Sequence, residues 1–238
     1  MELEFHQLDL RYQRLRVVRL AREKRLLASL AEIGQQIPIL VVKDAEPSRY
    51  VLIDGYKRVR SLKKLAQDAV RATSLDLEEC DALMTTRLMR SGEGETALEQ
   101  AWLLDELATR FGLSQEQLAR RFERSVSWVS RLLALVREVP DSVQELVRRG
   151  EIVSHAAVKY LVPLARANRS DCELLTPVIA AARLSTREVG LLYGAWRDGS
   201  AKTRERLRAE PLVLLKALKA AKAGSNPPER SPELRTHG

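Results

Sequence analysis

The chain has 238 residues, enough for one large domain or two small ones, and its 45% hydrophobic content can bury a core, which excludes a wholly disordered tail or linker. With 40 lysines and arginines against 32 acids the formal net charge is +8; a polyanionic partner is the natural match, since each neutralised phosphate releases counterions. No apolar run is long enough to cross a bilayer, the opening MELEFHQLDL lacks the regions of a secretory leader, and Cys80 and Cys172 form no CxxC pair, so a reduced, cytoplasmic protein without a zinc site is expected.

In chain order, residues 11–25 carry a dense basic run, Arg11, Arg14, Arg16, Arg19, Arg22, Lys24 and Arg25, whose ordinary reading is a solvated face. It leads into a helix with Leu26, Leu27, Leu30 and Ile33 on one side, stopped by Gly34. Ile37 to Val42 is a short β-branched run bounded by turn residues, and Tyr50 to Asp54 makes a second strand after the turn at Asp44 to Ser48. Gly55 then separates this strand from a helix that opens Tyr56-Lys57-Arg58-Val59-Arg60-Ser61. A glycine at such a junction lets backbone amides face an anion, and basic residues beside it add charge-assisted hydrogen bonds. Gly55, Lys57, Arg58 and Arg60 are therefore candidate phosphate ligands, with a solvent-exposed first turn as the plainer alternative. A third strand over about 70–75 completes a small mixed α/β unit, a helix follows over 78–90, and Ser91 to Glu95 reads as a flexible break.

Beyond the break nothing has the period of a strand. Thr96 to Phe111 is an amphipathic helix ended by Gly112, and Leu113 to Val136 reads as two short helices joined by a tight turn. Ser114 and Gln117 form a capping box at the start of the first, whose apolar face is Leu118, Ala119 and Phe122; Ser125 caps the second, whose buried face is Val129, Leu132, Leu133 and Val136. Val129 and Leu132 lie ten and thirteen residues after Ala119, the spacing of a helix-turn-helix. The turn position four residues after that alanine usually holds glycine, because φ tends to be positive there; here it is Glu123. In this motif the second helix enters the major groove and reads bases with its N-terminal residues. The candidate DNA contacts are Gln115, Arg124, Ser125, Ser127, Trp128, Ser130 and Arg131, and an ordinary pair of packed helices is the alternative.

Pro140 and Asp141 start a further helix closed by Gly150, and Ser154 caps another that Pro163 should limit. His155, at that start, has no cysteine or carboxylate constellation and reads as structural. Helices follow over 171–183 and, from a capping box of Ser185 and Glu188, to Arg197; a leucine- and alanine-rich stretch over 203–223 breaks at Pro211. Leu212, Leu215 and Leu218 could seam two chains or pack within one, and the tail 224–238 is expected to be disordered.

Four stretches in this order, SLAEIGQQIPILVV, IDGYKRVRSL, FGLSQEQLARRFERSVSWVSRLLAL and RRGEIVSHAAVKYL, resemble the ParB partition-protein family over about Leu8 to Val162. The resemblance implies a DNA-binding dimer whose glycine-arginine box holds the triphosphate of CTP, so that Gly55, Arg58 and Arg60 inherit the phosphate role. It also implies a site that is an inverted repeat, a ParA-type ATPase as partner, and a nucleoid-associated location. Tyr56, Lys57 and Ser61 depart from the family's usual glutamate, arginine and alanine. In the helix that follows, Thr85, Thr86 and Met89 or Arg90 stand nearest to the glutamate, asparagine and arginine that help hold magnesium and phosphates in the family. Threonine lacks the charged oxygen that hard cations prefer, so the expectation is weak, magnesium-independent CTP binding with little hydrolysis. The N-terminal fold is also similar to sulfiredoxin, but Tyr56 stands where its catalytic cysteine would, and no carboxylate cluster suggests a two-metal nuclease.

The expected fold class is α+β: a small mixed α/β domain over 1–92, an all-α helix-turn-helix domain over 95–168, C-terminal helices over 169–223 and the tail 224–238. The expected function is sequence-specific DNA binding in plasmid or chromosome partition, with CTP as modulator. The alternative is a helix-turn-helix transcriptional regulator without nucleotide switching.

Overall fold

The computed structural model describes residues 1–89 and 95–224, so most of the expected break at 91–95 and of the tail lies outside the described residues. The fold is α+β. Five strands, β1 (Glu2–Glu4), β2 (Leu8–Asp9), β3 (Ile39–Lys43), β4 (Tyr50–Asp54) and β5 (Ala69–Ser74), form one sheet in the order β1-β5-β3-β4-β2. β1 runs antiparallel to β5 and β4 antiparallel to β3, while β2 runs parallel to β4 and β5 parallel to β3. In β4 the successive residues Val51, Leu52 and Ile53 are all fully buried, so both faces of the sheet are covered there. The two outer strands were not legible in the sequence, because two or three residues show no period.

Thirteen helices follow the chain among the described residues: α1 (Leu20–Ile33), α2 (Tyr56–Lys64), α3 (Glu79–Met89), α4 (Ala97–Phe111), α5 (Gln115–Arg121), α6 (Val126–Glu138), α7 (Asp141–Arg148), α8 (Ser154–Ala156), α9 (Val162–Ala167), α10 (Arg169–Ala181), α11 (Thr186–Asp198), α12 (Ala201–Ala209) and α13 (Pro211–Gly224). α2 packs on β3, α1 on α2 and α3 on β4, whereas α4, α5 and α6 pack on one another.

Several expectations need correction. Ile37 is 64% exposed and precedes β3, and Ile33 is 57% exposed, so α1 buries Leu30 and Glu23 rather than the full leucine face. Pro163 does not end its helix. The five residues Ala157–Leu161 form a π-helical turn, in which the amide of Val162 donates to the Ala157 carbonyl, and the chain passes through the proline to Ala167. The leucine seam is spent inside the chain, since Leu215 is 4% exposed and Leu218 packs against the core, leaving Leu212 outward. Ser154 is the first residue of its helix rather than its cap.

The basic run is a solvated face only in part: Arg22, Lys24 and Arg25 are exposed, whereas several of the arginines before them are paired with acids. Arg11 lies among Asp9, Asp44 and Glu79 at 2.6, 2.6 and 3.1 Å, and Arg14 and Arg19 hold the buried carboxylates of Glu106 and Glu99. Buried Glu23 likewise takes Arg60, and buried Asp171 takes Arg208 at 2.7 and 2.9 Å. An ionised carboxylate taken out of water needs a partner. These arginines therefore neutralise acids within the chain, and the net charge of +8 is carried by other residues.

Candidate functional site

The helix-turn-helix is built by local rules. The Ser114 hydroxyl accepts the Gln117 amide at 3.2 Å while the Gln117 side chain accepts the Ser114 amide at 2.7 Å, starting α5. Its C-terminus closes in a Schellman arrangement, with the amide of Glu123 on the Arg120 carbonyl at 3.2 Å and that of Arg124 on the Ala119 carbonyl at 2.9 Å. Closure of this kind requires a left-handed residue after the cap, and Glu123 takes it at φ +52°, where glycine was the expected residue. Ser125 then caps α6 by accepting the Trp128 amide at 3.2 Å.

Leu118, Ala119, Val129 and Leu133 are buried where the two helices cross, and Leu135 is buried as well, while Leu132 and Val136 are only half-buried. That packing leaves Gln115, Arg124, Ser125, Ser127, Ser130 and Arg131 exposed. Trp128 is different. Its ring lies 6.2 Å from that of Phe122, half-buried, with the Arg124 guanidinium 6.0 Å above it, so the indole stiffens the turn as well as lining the surface. Arg121 is directed backwards to Asp81 of α3 at 2.8 Å, which ties the motif to the preceding unit.

A cleft of about 660 Å³ opens between the sheet unit and the helix-turn-helix. All four candidate phosphate ligands, Gly55, Lys57, Arg58 and Arg60, line it, and so do Arg16, Arg19, Arg22, Arg87 and, from the turn, Phe122 to Arg124. Gly55 caps α2 in a left-handed conformation at φ +111°, which turns the start of that helix toward the cleft. Arg58 rests one guanidinium nitrogen on the Pro38 carbonyl at 3.1 Å, whereas Arg60 is committed to Glu23. Opposite them Arg87 binds Glu95 at 3.1 Å and lies 4.6 Å from the centre of the Phe122 ring. Glu99 clasps the strap of residues 16–19, accepting the Val17 amide at 3.1 Å and Arg19 at 2.9 Å.

The cleft lining carries eight cations and four carboxylates, Asp54, Glu95, Glu99 and Glu123, an excess of positive charge that suits a chain of phosphates. Cations converge from four segments around the N-terminus of α2, and anions gain from charge-assisted bonds and the helix dipole together. Thr86, by contrast, is 1% exposed and its hydroxyl donates to the Ala82 and Leu83 carbonyls at 2.9 and 3.1 Å, and neither it nor Thr85 reaches the cleft. Among the described residues no group of three or more His, Cys, Asp or Glu gathers as a metal site. Tyr56, which follows the glycine, is a core residue. Burial raises its phenol well above the usual tyrosine range, and the hydroxyl donates to the Leu52 carbonyl.

The sequence did not single out Arg16, Arg19, Arg22 and Arg87 for the cleft. The first three stood in plain view within the basic run, but no local pattern tells a cation facing a cleft from one facing water. Arg90 lies outside the described residues. Among those residues no helix is long and apolar enough to cross a membrane.

Residues 93–196 match the family model of the ParB HTH domain. The chain is 35% identical over 118 residues to a nucleoid occlusion protein of Lysinibacillus sphaericus, covering 48% of this chain and 38% of that one. It is 29% identical over 168 residues to a probable chromosome-partitioning protein ParB of Helicobacter pylori, covering 68% and 54%. A solved structure, the C-terminally truncated chromosome-partitioning protein ParB of Caulobacter crescentus complexed with CTP-γ-S, is 22% identical and covers 78% of this chain and 98% of that one at a TM-score of 0.35, too loose a superposition to place any residue. The chain spans about half the length of the curated relatives it matches, 50% and 56% for two of them.

Proposed function

We propose, for a chain that belongs to the ParB family, that it binds a specific double-stranded DNA site and serves plasmid or chromosome partition, with CTP as the ligand of its cleft. The observation that carries the DNA reading is the exposed N-terminal turn of α6, with Ser127, Ser130 and Arg131 outward on a buried frame of Ala119, Val129 and Leu133. One such motif reads one half-site, so the active form is a homodimer on an inverted repeat, and the partner implied by the family is a ParA-type ATPase.

Arg131 is assigned to a base edge, because it lies on the outer face of α6 and a guanidinium can bind guanine through two parallel hydrogen bonds. Arg124 is assigned to the phosphate backbone; it precedes the helix at the turn. On a duplex selected from random sequence, Arg131→Ala is expected to cost about 1–3 kcal/mol and to relax preference at one position. Arg124→Ala should weaken all duplexes alike and flatten the salt dependence. Equal losses for Arg131→Ala on selected and scrambled duplexes would remove its assignment.

For the cleft, Gly55, Lys57, Arg58 and Arg60 are assigned to phosphate, with Arg60 free to serve only after yielding Glu23, which favours weak binding. Calorimetry with CTP, ATP and GTP, with and without magnesium, should find weak CTP binding that changes little with magnesium and is lost in Arg58→Ala. Tight, magnesium-dependent binding with rapid turnover would overturn this account of the cleft. Absence of nucleotide binding with DNA recognition intact would leave a simple regulator.

A further inference from the structure

The N-terminal turn of α6 carries two apolar side chains, Trp128, which is half-buried against Phe122, and Val126, which is exposed. Ser125, Ser127, Ser130 and Arg131 are polar and exposed, whereas Val126, the first residue of the helix, leaves 41% of its surface in solvent. Residues four apart stack along a helix, so Val126 and Ser130 form one row of the outer face and Ser127 and Arg131 the next. Val126 is not needed for the core, because Val129 and Leu133 behind it are 0% and 5% exposed. It is not there for helix formation either, since a β-branched residue is a poorer helix former than alanine.

We infer that Val126 reads a thymine, packing its methyl groups against the C5-methyl in the major groove beside the base edge that Arg131 contacts. The inference rests on the DNA-binding reading above. A single exposed valine is ordinary on a protein surface. This one stands on the turn that such a motif inserts into the groove, where the thymine methyl is the apolar feature on offer. The serines on either side end in hydroxyls, which can address donors and acceptors but do not bury a methyl group. Val126 and Arg131 together would thus specify two different positions of the half-site, one by apolar contact and one by hydrogen bonds.

The test uses the full chain. A preferred duplex is selected from a random pool, and each thymine of one half-site is then replaced in turn by deoxyuridine, which differs only by the methyl group. One replacement should weaken the wild type about fourfold, the value of one buried methyl. Val126→Ser should bind the thymine and uracil duplexes equally, and Val126→Thr, which keeps one methyl, should retain part of the discrimination. Unchanged thermal melting of both variants separates recognition from folding. If the wild type ignores every replacement, or if Val126→Ser discriminates as the wild type does, the inference is overturned while the DNA-binding reading stands. A selection that returns no preferred sequence overturns both.

Discussion

Gly55→Ala is expected to lower the stability of the chain by about 2–5 kcal/mol, the sum of about 1–2 for forcing an L-residue into left-handed backbone and about 1–3 for overpacking. The backbone at Gly55 has φ +111°, and a Cβ built there would stand 2.5 Å from Cγ2 and 2.9 Å from Cβ of Ile39, a residue with no exposure. A strand residue packed on all sides cannot simply turn away. The two causes are separable: in an Ile39→Ala background, which removes Cγ2 but keeps Cβ, the steric part of the Gly55→Ala cost should shrink while the backbone part persists in full. Urea denaturation of the four proteins measures this, and a loss below about 1 kcal/mol for Gly55→Ala alone would contradict the steric argument. The result matters for function. Loss of nucleotide binding in a Gly55 variant would report a damaged fold, so Arg58 is the position that tests the cleft.

Glu99→Ala should cost about 3–5 kcal/mol, the range for removing one partner of a buried, hydrogen-bonded charge pair. Glu99 is 5% exposed and serves two purposes at once. It completes the capping box of α4, accepting the Thr96 amide and hydroxyl at 3.0 Å each, and it clasps the strap through the Val17 amide and Arg19. Its removal takes an acceptor from a cap, an amide and a guanidinium together. Glu99→Gln keeps an acceptor of nearly the same shape and should recover part of the loss, by restoring the amide bonds but not the charge. Thermal or urea unfolding of the three proteins decides the matter. Equal stabilities for wild type and Glu99→Ala would mean that the clasp between strap and α4 contributes nothing. Because Arg16 and Arg19 sit on that strap and line the cleft, a weakened clasp should also loosen the site itself.

The local grammar of the chain was legible in advance, and its limits follow from physics. Capping boxes at Ser114 and Ser185, the cap at Ser125 and the helix stop at Gly112 depend on residues three or four positions apart, and each forms as expected. Even the missing glycine at Glu123 could be read correctly, because the Schellman closure demands a left-handed residue whatever its side chain. Pro163 misled because a proline is barred from a helix only if its neighbours cannot rearrange, and the π turn before it does so.

By itself, then, the sequence determined most of the helices and the ends marked by a cap or a stopping glycine, the three inner strands, the helix-turn-helix frame and the placing of a glycine between strand and helix, since these obey periods and caps confined to one turn. Only the tertiary structure decided where the arginines go. Arg11, Arg14, Arg19, Arg60 and Arg208 look alike in the sequence to Arg124 and Arg131, yet the first five are spent on acids 2 to 92 residues away and the last two are left at the surface. A long charged side chain takes its partner from whatever the fold brings near, and no local pattern encodes that choice. For the same reason the cleft, assembled from the strap, α2, α3 and the turn before α6, exists only once those distant segments have packed.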